Sequence, residues 1–186
     1  MSKLISVSLL ALGLFTVTFA VNLQAPLYDA YAAESDVGAT AVTVAFAAYV
    51  GGLMPTLLLL GGFSDRIGRR VPIALALILG AMATALLVQV PSWTSLVAAR
   101  FLLGIGTGLA TTAGTAYMTE ILGSDRAKNA ALIVTSATSL GFGGGALATG
   151  ISLGVQGPTL LPASYIVLFV VAPILAVIAL GLPRID

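Results

Sequence analysis

Residues 61–70 hold the densest group of charged side chains in this 186-residue chain. Asp65, Arg66, Arg69 and Arg70 lie within six positions, between two long apolar runs. Arginines at such a boundary bind anionic headgroups and keep a loop at the membrane surface, and the glycines there permit sharp turns. A simple membrane anchor is one interpretation. It leaves Asp65 unexplained, because anchoring requires only positive charge.

Arg100 is the other residue whose position suggests chemistry, since it lies inside an apolar run, about one and a half helical turns from its start. An arginine within a membrane span costs roughly 2.5–3.5 kcal/mol on insertion scales, so it must face a partner or water. Helical spacing places Gly104, Gly108, Thr111 and Thr115 on the same stripe. The pattern predicts a proton or substrate path, and the alternative is an arginine that extends to the outer headgroups.

Composition restricts the class of protein. The chain is 59% hydrophobic and 8% charged, with a mean hydropathy of +1.10, which is typical of an integral membrane protein and not of a soluble enzyme. It contains no cysteine and no histidine, which excludes thiolate metal sites and histidine acid–base chemistry. We therefore expect no cofactor and no metal, and any proton carrier must be a carboxylate. The basic residues form no continuous patch, so nucleic acid is not expected as a partner.

Six apolar runs are long enough to cross a bilayer as helices. They are residues 4–23, 39–60, 72–90, 95–118, 129–153 and 163–182. The loops on one side hold the lysines and arginines, and the three loops on the other side hold none, which predicts cytoplasmic N and C termini. The expected location is the cell (cytoplasmic or inner) membrane, as a multi-pass protein in the lipid bilayer. A cleaved signal peptide is the alternative for the first run.

Two further polar residues are candidates for the path. Asn22 shares a helical face with Phe15 and Phe19, and Tyr49 lies at mid-membrane depth beside a small-residue stripe of the second run. Each has a structural alternative, because Asn22 could lie in the interface and the Tyr49 hydroxyl could be packed between helices.

Three motifs resemble those of the major facilitator superfamily of secondary transporters. The loop G-x-x-x-D-R/K-x-G-R/K-R/K is matched by Gly61, Asp65, Arg66, Gly68, Arg69 and Arg70. Residues 100–108 resemble the fourth-helix pattern R-F-x-x-G-x-G-x-G. Residues 141–150 are similar to the fifth-helix antiporter motif G-x-x-x-G-P-x-x-G-G, with Gly141, Gly145 and Gly150 in place but Ala146 and Thr149 departing from it. Close helix packing is the ordinary alternative for these glycines.

The resemblance implies an all-α membrane fold of six helices, arranged as two inverted three-helix repeats. It also implies that the charged loop locks and releases neighbouring helix ends, with Glu120 joining Asp65 and Arg66, and that Arg100 shapes the proton or substrate path. The expected function is secondary active transport of a small organic solute with protons, and the fifth-helix motif favours efflux.

The resemblance covers only the N-terminal half of a twelve-helix family member. The expected partner is therefore a second six-helix half or a second copy of the chain. The alternative function is that of a non-transporting truncated remnant or a membrane assembly or regulatory partner.

Overall fold

A computed structural model describes residues 2–38, 40–60, 62 and 67–183, and no strand occurs in that part of the chain. Its helices are α1 (Lys3–Asn22), α2 (Tyr28–Glu34), α3 (Ala41–Leu60), α4 (Arg70–Gln89), α5 (Trp93–Leu122), α6 (Ala127–Gln156) and α7 (Ala163–Leu180). Six helices are long and apolar enough to span a membrane, as the sequence predicted. The additional short helix α2 follows α1 after a 3-10 turn at Ala25–Leu27.

Local sequence explains where several helices begin and end. The hydroxyl of Ser2 accepts a hydrogen bond from the Ile5 amide, and Ser92 caps α5 in the same way. Gly123 and Gly157 terminate α5 and α6 at φ angles of 101° and 83°. Glycine reaches that left-handed region at little cost, so the chain can reverse within a few residues.

The spanning helices pack in a pattern with internal symmetry. The most extensive contacts are those of α3 with α5, α1 with α6, α4 with α5 and α4 with α7, and α5 also contacts α1. If the first three spans are exchanged for the last three, the α1–α6 pair becomes the α5–α3 pair and the α4–α7 pair is unchanged. The α4–α5 contact departs from this symmetry, because its counterpart between α1 and α7 is much smaller. Because successive spans reverse direction, the two groups run oppositely, which agrees with two inverted repeats.

Glycines allow these pairs to approach until backbones touch. A Cβ atom added to Gly104 would overlap the Tyr49 carbonyl oxygen of α3, and one added to Gly52 would overlap the Phe101 carbonyl oxygen of α5. On the other side of the bundle, Gly141 and Gly145 of α6 lie equally close to α1. These contacts are small-residue membrane helix packing, in which van der Waals contact replaces the hydrophobic effect.

Two spans are left largely uncovered. Only 17% of the α3 span and 28% of the α6 span are buried, against 61% for α5. The exposed faces include apolar side chains such as Phe46 and Leu147. Neighbours within the chain therefore cover one side of α3 and α6, and the opposite sides are open to lipid or to another protein.

Candidate functional site

Arg100 lies inside the bundle, with 3% of its surface exposed. Its Nη1 atom donates a hydrogen bond to the carbonyl oxygen of Val21, in the last turn of α1. Its guanidinium carbon lies 4.7 Å from the centre of the Tyr49 ring and 5.7 Å from that of Tyr28. These contacts hold the charge among α1, α2 and α3, and the side chain does not extend to the headgroups.

The end of α1 explains why a donor is needed there. The last carbonyls of a helix have no amide partner within the helix. Pro26 lacks an N–H that could serve the carbonyl of Asn22. Side chains donate to neighbouring carbonyls at this helix end, since Gln24 Nε2 donates to Ala20 at 3.1 Å and Thr149 Oγ1 donates to Leu23 at 2.7 Å.

The Arg100 charge is compensated without a carboxylate among the described residues. The C-terminus of a helix carries a partial negative charge, and the faces of tyrosine rings attract cations. Arg100 Nε and Gln24 Oε1 are both buried without a hydrogen-bond partner. The site therefore retains one unused donor and one unused acceptor beside the same helix end.

Polar contacts join this end of α1 to α6, and α6 to α7 beside it. Asn22 Nδ2 donates to the Phe142 carbonyl of α6 at 3.1 Å, and Thr149 shares a 2.7 Å hydrogen bond with Ser164 of α7. Asn22 is half-buried, and its amide nitrogen already has a partner in α6. Tyr49, the other sequence candidate, is 9% exposed and faces the guanidinium.

The predicted stripe on α5 is divided by the fold. Arg100, Gly104 and Gly108 are buried, whereas Thr111 and Thr115 are exposed. The close approach of α3 to α5 extends to Thr56 beside Gly108, and the two threonines lie beyond it. Thr111 and Thr115 therefore lie outside the buried part of the stripe, and their place on a cavity shared with the charge and the glycines stays a prediction.

Threonines at every fourth position of α5 bond to the backbone of their own helix. The Oγ1 atoms of Thr107, Thr111, Thr115 and Thr119 each donate to the carbonyl four residues earlier, at 2.7–3.0 Å. The exposed hydroxyls of Thr111 and Thr115 are thus already satisfied as donors. A solute on this face meets hydroxyl oxygens that can still accept hydrogen bonds.

The opposite end of the bundle carries the basic residues, and we call it the basic end. Arg69 Nε donates to Glu120 Oε1 of α5 at 2.8 Å. Arg70 Nη1 donates to the carbonyls of Leu180 and Leu182 at 2.8 and 2.6 Å, so a cation caps the C-terminus of α7. Gly68 has a φ of 86°, which the turn before α4 requires.

Of the expected cluster of Asp65, Arg66 and Glu120, only Glu120 lies among the residues that the structure describes. Gly61, Asp65 and Arg66 lie outside the described residues. Glu120 pairs with Arg69, a motif position that the sequence assigned to the same loop but not to this contact. The loop and the end of α5 are therefore joined by an ion pair.

The packing glycines divide into two groups. Gly104, Gly108, Gly141 and Gly145 each have neighbouring atoms closer than ordinary contact, and Gly150 has nothing within 4 Å of an added Cβ. Gly150 therefore leaves room for a side chain within the described chain, and its role in helix packing stays a prediction.

Gln24, Tyr28 and Thr149 lie at the arginine site, although their positions in the sequence did not predict it. Pro26 was the available signal, because a proline four residues after Asn22 leaves carbonyls of α1 in need of donors.

A double-mutant cycle on Arg69 and Glu120 measures their ion pair. The Glu120 side chain is 32% exposed and that of Arg69 is 23% exposed, so we expect a coupling of about 0.5–1 kcal/mol in the free energy of unfolding. The coupling should fall in high salt. Additive single-mutant effects at low salt would show that Arg69 and Glu120 have no coupling energy.

The family model of the Major Facilitator Superfamily matches residues 10–186. A search of curated proteins finds no match to the chain. The family consists of transporters and not of enzymes, and the six apolar helices agree with a multi-pass membrane protein. The chain belongs to the Major Facilitator Superfamily and is a transporter-type membrane protein.

Proposed function

We propose that the chain is a six-helix half of a secondary transporter that moves a small organic solute, with protons and outward, across the inner membrane. The observation that carries the proposal is the burial of Arg100 among α1, α2 and α3. A cation held by one carbonyl and two rings from different segments responds to any relative movement of those segments. Arg100 therefore couples helix positions to what occupies the path.

The proton carrier would come from a second unit. None of the seven acidic residues falls within the six predicted spans. Glu120 lies in the last turn of α5 and pairs with Arg69 at the basic end. Because histidine and cysteine are absent, this half offers no mid-membrane group that titrates near neutral pH. A second copy of the same chain would therefore support solute movement without protons, whereas coupling requires a second half that carries a carboxylate.

The uncovered faces of α3 and α6 support a second unit. Neither Arg100 nor the small face of α3 is turned toward lipid, since Arg100 and Ala45 are 3% and 0% exposed. The exposed threonines also satisfy their own hydroxyl donors. What a second unit would cover is the other side of α3 and the Gly143, Leu147 and Gly150 side of α6. Association with a second unit would be favourable mainly because helices pack against each other, and less because unpaired polar groups find partners.

Proteoliposomes test the proposal. The chain is reconstituted with its second six-helix half, and a panel of solutes is offered with a pH-sensitive dye inside the vesicles. We expect flux of one class of solute with proton movement in the opposite direction. The chain reconstituted alone should move the same solute without protons. Correctly folded protein that moves none of the solutes in either form would favour the remnant or assembly role.

Asp65→Asn is expected to abolish transport while insertion and abundance stay near normal. The prediction depends on a carboxylate placed where topology requires only positive charge. Flux per inserted molecule is the measurement. Asp125→Asn is the matched control, because Asp125 is an exposed carboxylate in the 3-10 turn Ser124–Arg126, at the same end of the bundle. Equal flux in Asp65→Asn and the control would mean that the loop only anchors the chain at the membrane surface.

A further inference from the structure

A groove of about 490 Å³ lies between α2 and the connection from α6 to α7, at the end of the bundle opposite the basic end. Leu27 and Ala30 line one side, and Leu153, Pro158 and Leu160 line the other. The single charged group of the lining is the Glu34 carboxylate. Volume and lining are those of a small-molecule site, in which a mostly apolar wall carries a few polar groups.

Buried tyrosines fix the two walls relative to each other. Tyr31 of α2 and Tyr165 of α7 are both fully buried, and their hydroxyl oxygens lie 3.2 Å apart. The Tyr31 hydroxyl also contacts the carbonyl of Leu160, at 3.4 Å, within the groove wall itself. The groove is therefore formed before any ligand arrives, which lowers the ordering cost of binding.

The charged side chain that lines this groove is acidic. Glu34 ends α2, where the helix dipole adds to its charge, and it has no ion-pair or hydrogen-bond partner among the described residues. The other acidic residues of this end are Asp29 and Asp36, and no lysine or arginine occurs in the connections there. Arg100 is buried behind the Tyr28 ring, and its Nη1 is bonded to the Val21 carbonyl.

We infer that this groove binds an amphipathic monovalent cation, with its apolar body between the walls and its positive group against Glu34. An apolar wall with one unpaired carboxylate matches such a molecule in both respects. A phospholipid with an ammonium headgroup matches less well, because its phosphate would lie where the chain offers no cation. The inference concerns binding alone and does not depend on the proposed transport.

Binding of tetraphenylphosphonium to the full chain in phosphatidylcholine nanodiscs tests the inference by equilibrium dialysis. Trp93 gives a second readout, since it is the only tryptophan and its amide donates to Ser35, next to Glu34. We expect saturable binding that Glu34→Gln weakens about threefold to fivefold at low salt, as for one partly exposed charge pair. Asp36→Asn is the matched control and should bind as the wild type does, since Asp36 does not line the groove.

A second variant separates the groove from general surface charge. Ala30→Phe should fill the groove and remove saturable binding, while the charge of this end stays the same. The neutral analogue triphenylphosphine oxide should bind the wild type and Glu34→Gln equally. Unchanged affinity in both Glu34→Gln and Ala30→Phe would overturn the inference. Displacement of the cation by phosphatidylethanolamine in the nanodisc would also overturn it, because the lipid would then be the occupant.

Discussion

Gly104→Ala is expected to lower the free energy of unfolding by about 1–3 kcal/mol, the usual cost of overpacking a close contact. The new Cβ would overlap the Tyr49 carbonyl oxygen and lie 2.9 Å from the Leu53 amide nitrogen. These are backbone atoms, which cannot rotate aside as a side chain would. The helices α3 and α5 must separate, and that separation also shifts Tyr49 from Arg100. Unfolding in mixed detergent micelles measures the loss.

Gly143→Ala is the matched control on α6. Nothing lies within 4 Å of a Cβ at this position, and alanine is the better helix former by about 1 kcal/mol. We expect stability equal to or above that of the wild type. Gly52→Ala should resemble Gly104→Ala, because its Cβ would overlap the Phe101 carbonyl of the same helix pair. Equal stability of all three variants would show that α3 and α5 are not packed backbone to backbone.

Arg100→Ala is expected to abolish coupled transport, and Arg100→Lys should restore only part of it. Alanine leaves the Val21 carbonyl without its donor and the Tyr49 ring without its cation. Lysine restores the charge but lacks the planar fork that reaches a carbonyl and two rings at once. Solute and proton flux in proteoliposomes measure both variants.

The contribution of Arg100 to stability is separable from its role in transport. A hydrogen bond to a charged group contributes about 1.5–3 kcal/mol, but removing a buried charge also removes its desolvation cost. Thr149→Val deletes another cap of the α1 end, at Leu23, and leaves the charge in place. We expect that variant to retain transport. Loss of transport in Thr149→Val, or its survival in Arg100→Ala, would mean that Arg100 only closes the end of α1.

The fold was predictable from the sequence because membrane spans depend on length and apolar composition alone. The position of Arg100 was predictable as well, since a charge inside an apolar run is visible without coordinates. Its partners were not, because a backbone carbonyl such as that of Val21 has no sequence signature. Thr111 illustrates the second limit, since helical periodicity places it on the stripe of Arg100 and cannot say where the neighbouring helix diverges.

The hydroxyl contact between Tyr31 and Tyr165 marks a third limit of sequence reasoning. These residues are far apart in the chain, and only the tertiary fold brings their hydroxyls together. The short helix α2 lies in a polar stretch that the sequence predicted as a loop, and burial of Leu27 and Tyr31 stabilises it there. Tertiary contacts override weak local preference in such short segments.

Disulfide crosslinking tests most directly whether the open side of α6 meets a second six-helix unit. The chain has no cysteine, so Leu147→Cys on α6 and Val177→Cys on α7 each introduce one thiol, at positions that are 63% and 72% exposed. Oxidation of membranes containing the chain alone should trap a covalent dimer through residue 147 and little or none through residue 177. Equally weak crosslinking at both positions, in a chain that stays monomeric in nanodiscs, would contradict the account.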